Sequence, residues 1–169
     1  MSVRGVLYVH SAPSALCPHI EWAVAGVIGV PVDLPWVAQP AEPGTLRAEL
    51  SWTAHPGTAA AITSSLSGWN RIRFEVTEEA SAGCDAVRYS YTPSQGTFSC
   101  ATSANGDVVI PEGRVRAALT LAACPAPGRP AVSLEAELTR MLGQAWDDEL
   151  EPFRCAAEGA PVRWLHATG

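Results

Sequence analysis

Residues 46–53, LRAELSWT, decide the fold class, because apolar and polar side chains alternate along them without a break. Every second residue from Leu46 to Trp52 is apolar, and the residues between them are polar or charged. In an extended chain, this period of two places the apolar side chains on one face. The segment is therefore predicted to be a strand of a half-buried sheet, and residues 71–77 and 87–91 repeat the pattern.

Other segments of the sequence have apolar patterns that predict a buried strand and three helices. Residues 5–10, GVLYVH, are a continuous apolar run, which is typical of a central strand covered on both faces. Apolar residues at helical spacing predict three helices. The first spans residues 18–28, the second begins at Thr58 as its N-cap, and the third runs from the N-cap Ser133 to Pro152.

Shorter segments complete the predicted sheet. Asn105 and Gly106 are suited to a two-residue hairpin turn. Further strands are predicted at residues 97–102, 108–110, 114–121 and 162–166. We therefore expect one α+β domain over residues 1–169, with a mixed, mainly antiparallel sheet and about three helices on one of its faces. The first six elements follow a ferredoxin-like β-α-β-β-α-β order.

The composition limits the classes of function. Eleven basic residues, all of them arginine, and 17 acidic residues give a net charge of −6. An acidic chain without a basic run repels nucleic acid and anionic membranes, so we expect neither as a partner. The five cysteines include no CxxC pair, and the N-terminus has no signal-peptide layout. We expect a cytoplasmic protein with reduced thiols, no metal and no cofactor.

Six strings of the sequence resemble a known family. They are HSAPSALCPHIEWA (10–23), RFEVTEE (73–79), RYSYTP (88–93), SANGDV (103–108), GQAWDDELEPFR (143–154) and VRWL (162–165). Together they resemble an actinobacterial family, domain of unknown function 3145, over nearly the whole chain. The resemblance implies no activity and no catalytic residue. It implies a link to fatty-acid synthesis, because members of the family are often encoded near such genes, and an acyl carrier protein or a carboxylase subunit would be a natural partner.

The junction between the first strand and the first helix contains the most reactive side chains. His10 ends the strand, and Cys17 and His19 flank Pro18 at the start of the helix. A thiolate there would be stabilised by the helix dipole and an imidazole, which would suit acyl transfer or hydrolysis. The same three side chains could also ligate zinc. The plainer alternative is a buried cysteine beside histidines that bind local backbone groups.

Arginines recur on the polar side of the predicted strands. They are Arg47, Arg71, Arg73, Arg88, Arg114, Arg116 and Arg163. If the helices cover the other face of the sheet, these residues form a basic surface for an acidic protein or a phosphorylated small molecule. The alternative is a solvated face of mixed charge, in which Glu49 and Glu75 pair with the arginines across strands.

Trp36 lies between prolines on an expected edge of the sheet and is a candidate interface residue. From these features we expect a non-catalytic binding or regulatory protein that engages its partner through the arginines or Trp36. A small enzyme using Cys17 with His10 or His19 is the alternative. A structural homodimer formed through the sheet face is a third interpretation.

Overall fold

The computed structural model describes residues 2–124 and 133–154, which form one sheet with helices packed on both of its faces. The strands are β1 (Val3–Pro13), β2 (Val37–Ala38), β3 (Thr45–Ala54), β4 (Arg73–Glu78), β5 (Ala86–Thr92), β6 (Gly96–Thr102) and β7 (Val108–Val109). The helices are α1 (Cys17–Ile28), α2 (Thr58–Leu66), α3 (Glu112–Ala123), α4 (Leu134–Leu142) and α5 (Gln144–Arg154). A 3₁₀ turn, Ser14–Leu16, joins β1 to α1.

The seven described strands lie in the order β2-β3-β1-β4-β5-β6-β7, and every neighbouring pair is antiparallel. β1 is central, with Leu7 opposite Leu50 of β3 and Val76 of β4. The register of β1 against both neighbours shifts after Val9. An extra residue of this kind bends a strand, and here it lies directly before the turn into α1.

The first face of the sheet carries the main hydrophobic core. Leu7, Phe74 and Val76 point to this face and are fully buried. The helices α1 and α2 cover them with Ile20 and Ile62, which are fully buried as well. The alternating pattern of residues 46–53 is confirmed, because its apolar members pack into this core.

The second face carries the side chains between those of the first, including Tyr8, Glu75 and Ser90, which lie opposite one another on β1, β4 and β5. It is covered in part by α5, whose Leu150 is fully buried. Trp146 of α5 packs against Phe98 of β6, with ring centroids 5.1 Å apart. The expectation that the helices share one face is therefore wrong.

The predicted element order also needs correction. The described residues contain five helices rather than about three, and the chain does not match the ferredoxin-like scheme. The predicted strand at residues 114–121 lies inside α3, where alanine, leucine and arginine favour a helix and Arg116 pairs with Glu112 one turn away. Gly143, in a left-handed conformation, divides the predicted third helix into α4 and α5. The predicted strand at residues 162–166 lies outside the described residues.

The backbone N–H groups at two helix starts are capped in different ways, by a neighbouring residue in α4 and by a residue distant in sequence in α2. Ser133 is the predicted N-cap of α4, and its Oγ accepts from the N–H of Ala136 at 3.0 Å. Thr58 is not the N-cap of α2, because Gly57 takes that place. A carboxylate from β4 caps this helix instead: Glu78 accepts from the N–H groups of Gly57 and Ala59, each at 2.8 Å.

No helix in the described part of the chain combines the length and the apolar character needed to cross a bilayer.

Gly5 offers a direct test of the packing between β1 and its neighbours. A Cβ atom at this position would overlap the carbonyl oxygen of Thr77 and the ring of Trp52. Gly5→Ala should therefore lower the free energy of unfolding by about 3 kcal/mol, as expected for overpacking. Gly113→Ala is the matched control, because nothing lies within 4 Å of a Cβ at Gly113. Urea denaturation followed by circular dichroism measures both, and equal stability of the two variants would contradict this packing.

Candidate functional site

A buried carboxylate organises the second face of the sheet. Glu75 has no exposed surface and receives four hydrogen bonds. His10 donates through Nε2 at 2.8 Å, and Ser90 donates through Oγ at 3.0 Å. Arg154, near the end of α5, donates through Nε at 3.0 Å and through Nη2 at 2.6 Å. The two-point contact fixes the direction as well as the distance of the guanidinium group, so it holds α5 in one position on the sheet.

Further ion pairs continue this network along α5. Arg154 also donates to Oδ1 of Asp147 at 2.8 Å, and Oδ2 of Asp147 lies 3.8 Å from Nη2 of Arg88 on β5. Arg73 of β4 binds Glu149 of α5 at 3.1 Å. The charged side chains of Glu75, Arg73 and Arg88 on the second face are therefore paired with residues of α5.

The electrostatic environment keeps Glu75 ionised. Burial by itself would raise the pKa of this carboxyl group, but the contacts with His10 and Arg154 outweigh burial. The result is a pKa well below the ordinary value of a glutamate. The carboxylate is thus a charged anchor for α5 at neutral pH.

Removing the charge of Glu75 should destabilise the protein strongly. In Glu75→Gln, Arg154 remains 3% exposed but loses its buried counter-charge, so the free energy of unfolding should fall by about 3–5 kcal/mol. Glu79→Gln is a matched control four residues away, since its ion pair with Arg4 is exposed and should be worth less than about 1 kcal/mol. Urea denaturation compares the two. Similar losses in both variants would show that Glu75 does not anchor α5.

The pH dependence of stability follows from the direction of the Glu75 shift. Because its pKa is lower in the folded state, the unfolded chain binds a proton first as the pH falls, and folding stability decreases. The contribution of Glu75 is complete above the unfolded value of 4.5 and is lost progressively below it. Wild type should therefore lose more stability than Glu75→Gln when the pH is lowered through this range. Parallel curves for the two proteins would contradict the assigned charge state.

The cysteine and histidines of the enzyme hypothesis do not form one site. His10 lies on the second face with Glu75, whereas Cys17 belongs to the core on the first face. The Sγ of Cys17 donates to the carbonyl of Pro13 at 3.7 Å, and burial, with the nearby Glu21, raises the pKa of the thiol. His19 is exposed on α1. Within residues 2–124 and 133–154, no three histidine, cysteine or acidic side chains are grouped to hold a metal ion.

The arginines singled out by the sequence are dispersed. Arg73 and Arg88 lie beneath α5, and each is paired there with an acidic residue. Arg114 and Arg116 lie on α3 rather than on a strand. Arg47 lies on β3 opposite Val37 of the edge strand, and Arg71 lies in the turn before β4. Arg163 is outside the described residues. Those that are described do not form one exposed cationic face.

Trp36, the candidate interface residue, is half-buried, and the most exposed of the described tryptophans is Trp22. Trp36 packs partly against the first core, and its Nε1 donates to Oε1 of Glu21 at 2.8 Å. The same Glu21 oxygen accepts from the N–H of Leu34, which fixes this loop against α1. Trp22, on the outer side of α1, is 79% exposed. It is the most exposed of the large hydrophobic side chains in the described part of the chain.

The two helix segments beside Trp22 contain few charged residues, although the exposed Asp33 follows in the loop that Glu21 binds. Residues 11–32 contain one charged residue, Glu21, which is held by the loop, and residues 56–70 contain none. The chain has 28 charged residues in all, so they are concentrated elsewhere. We call the outer side of these two helices the α1–α2 face. The exposed residues of the two helices are Pro18, His19, Trp22 and Gly26 of α1 and Ala60, Ala61 and Ser64 of α2.

The sequence contains a signal for this face, although periodicity does not reveal it. A surface helix normally has a polar outer side, and a helix that is apolar all round is normally buried. α1 has one acidic residue in twelve, and α2 has no charged residue in nine. The scarcity of charge in two neighbouring helices is the observation that could have indicated an interface.

Comparison with known proteins adds one match. The family model described as "Protein of unknown function (DUF3145)" matches residues 6–167. No curated protein and no solved structure matches the chain.

Proposed function

The chain belongs to the DUF3145 family, and we propose that it is a non-catalytic binding protein that docks a partner protein on its α1–α2 face. The observation that carries this proposal is the 79% exposure of Trp22 on a pair of helices that contain only one charged residue, Glu21. Large apolar residues in a contiguous uncharged patch are typical of protein–protein interaction sites. Tryptophan is also the residue type most enriched among side chains that dominate binding energy.

The rest of the fold supports a rigid docking surface. The inner sides of α1 and α2 contribute Ile20, Val24, Ile62 and Leu66 to the core, and each is fully buried. Glu78 fixes the start of α2, and Glu21 ties the following loop to α1. A partner therefore meets a preorganised surface, which lowers the entropic cost of binding.

The chemistry of the face also specifies the partner. An uncharged surface with an exposed indole fits a protein surface that is itself apolar and carries no buried charge, because an unpaired charge would lose its hydration on binding. The binding role expected from the sequence is retained in this proposal, but the arginines are no longer its basis. An acidic partner, such as an acyl carrier protein, would find no single cationic face among the described residues.

Site-specific cross-linking in living cells tests the docking proposal. A photoreactive amino acid replaces Trp22 in one variant and Leu119 in the control. Leu119 is a second exposed apolar residue, on α3, and is 49% exposed. We expect a discrete cross-linked product from position 22, with a partner peptide that mass spectrometry identifies, and no matching product from position 119.

Comparing the cross-linked products from positions 22 and 119 decides whether a partner docks on the α1–α2 face. A position-22 product that maps reproducibly to one protein surface supports docking on the α1–α2 face. No product from position 22, or the same products from both positions, would contradict the proposal, because Trp22 would then have no specific partner.

A further inference from the structure

We infer that the outer edge of β3, residues 49–54, is a second docking site, where an extended segment of a partner protein that carries a positive charge pairs with the sheet as a further strand. The site lies at the edge of the sheet and goes beyond the docking function proposed for the α1–α2 face. An edge strand offers a row of backbone N–H and C=O groups, and the segment that binds them must itself be extended.

The backbone groups of alternate residues of β3 point away from the sheet. Thr45 accepts from the N–H of Gln39 at 3.0 Å, so its carbonyl points outward, on the side of β2. Successive residues of a strand point their hydrogen-bonding groups to opposite sides. The N–H and C=O groups of Glu49, Ser51 and Thr53 therefore point outward as well. In the part of the chain that the structure describes, no strand pairs with these three residues on that side.

β2 ends at the point where its chain could no longer pair fully with β3. Val37 lies opposite Arg47, so residue 35 would come opposite Glu49 if β2 continued in the same register. Residue 35 is a proline, which has no N–H group to donate to the carbonyl of Glu49. The carboxylate of Glu21 holds this loop against α1 instead. Among the described residues, the edge of β3 from residue 49 to residue 54 is thus left without a neighbouring strand.

The edge is regular enough for a strand to add to it. From Ala48 to Ala54, β3 keeps an unbroken register with β1. Edge strands that are protected against pairing usually contain lysine, proline or a bulge, and residues 49–54, ELSWTA, contain none of these. Ser51 and Thr53 are exposed and line a cleft of about 1510 Å³ on the second face, which has room for side chains of the added strand.

Glu49 specifies a positive charge on the added strand. Its side chain is half-buried, and burial raises the pKa of the carboxyl group without a hydrogen bond or a cation to offset it. In an antiparallel pair the Cβ atoms of directly opposite residues are about 4.5–5.5 Å apart, so an arginine or lysine opposite Glu49 supplies the missing counter-charge. A second copy of this chain fits less well, because residues 49–54 contain no basic residue and each copy adds a net charge of −6.

The two faces of β3 set the side-chain pattern of the partner segment. Leu50 and Ala54 are half-buried against the first core, so the residues opposite them should be apolar. The residues opposite Ser51 and Thr53 should be β-branched and polar, as in threonine pairs across strands. The matching probe is the peptide VTVTVR, antiparallel to β3 with its arginine opposite Glu49, because every described pair of strands in the sheet is antiparallel.

Fluorescence anisotropy of the labelled peptide VTVTVR, titrated with the purified protein, tests the inference. We expect a Kd below about 100 µM. Methyl groups on the threonine nitrogens should weaken binding by about tenfold or more, because those N–H groups point towards β3 and are lost as donors. In the matched control peptide the valine nitrogens are methylated instead. Its Kd should stay within about twofold of the parent, since those N–H groups point away from β3.

Three variants of the protein locate the site. Glu49→Lys should weaken the arginine peptide by about tenfold or more and should bind a matched peptide ending in glutamate more tightly than wild type does. Glu112→Lys on α3 changes the net charge equally and should bind both peptides as wild type does. Ser51→Pro should abolish binding and should unfold at the temperature of wild type, because the N–H that it removes faces away from the sheet.

The inference is overturned if wild type does not bind the arginine peptide, if methylation of the threonine nitrogens has no effect, or if Glu49→Lys binds the peptide as tightly as Glu112→Lys does. Sedimentation equilibrium of wild type and Ser51→Pro checks the other occupant of the edge. A wild-type dimer that Ser51→Pro dissociates would also overturn the inference, because the edge would then pair with a second copy.

Discussion

The ion pair between Glu75 and Arg154 decides which surfaces of this protein are available. It joins the centre of the sheet to the last described helix through two hydrogen bonds, and His10 and Ser90 complete the shell of donors around the carboxylate. Because a buried charge without its partner is costly, α5 is held on the second face of the sheet. Arg73 and Arg88 of the sheet are paired with acidic residues of this helix. The outer side of α1 and α2, on the first face, stays exposed.

The strands could be predicted because one face of a half-buried strand meets the core and the other meets solvent, so apolar and polar residues alternate along its sequence. In residues 46–53 the apolar side chains are predicted to face the core, and in the structure they pack into it. The same reasoning wrongly assigned Arg114 and Arg116 to a strand. Residues 114–116 alternate between polar and apolar, as in a strand, but the alanines and leucines around them favour a helix. The position of α5 could not be predicted, because Glu75 and Arg154 are 79 residues apart and each resembles a solvated residue in its own segment.

The orientation of α1 could not be read from its sequence either. A helix that is apolar nearly all round gives no contrast between an inner and an outer side. Cys17, Ile20 and Val24 face the core, which leaves Trp22 outside. Trp36, which stands among prolines and looks exposed, is tied to Glu21 instead. α1 and α2 together contain a single charged residue, Glu21, and this scarcity of charge is the basis of the proposed docking function.

The most direct test of this account is hydroxyl-radical footprinting of the purified protein, with the oxidation of each tryptophan measured by mass spectrometry. In dilute protein Trp22 should be oxidised much faster than Trp52, which is 5% exposed. Slow oxidation of Trp22, at a rate similar to that of Trp52, would contradict the exposure of Trp22 on the outer side of α1.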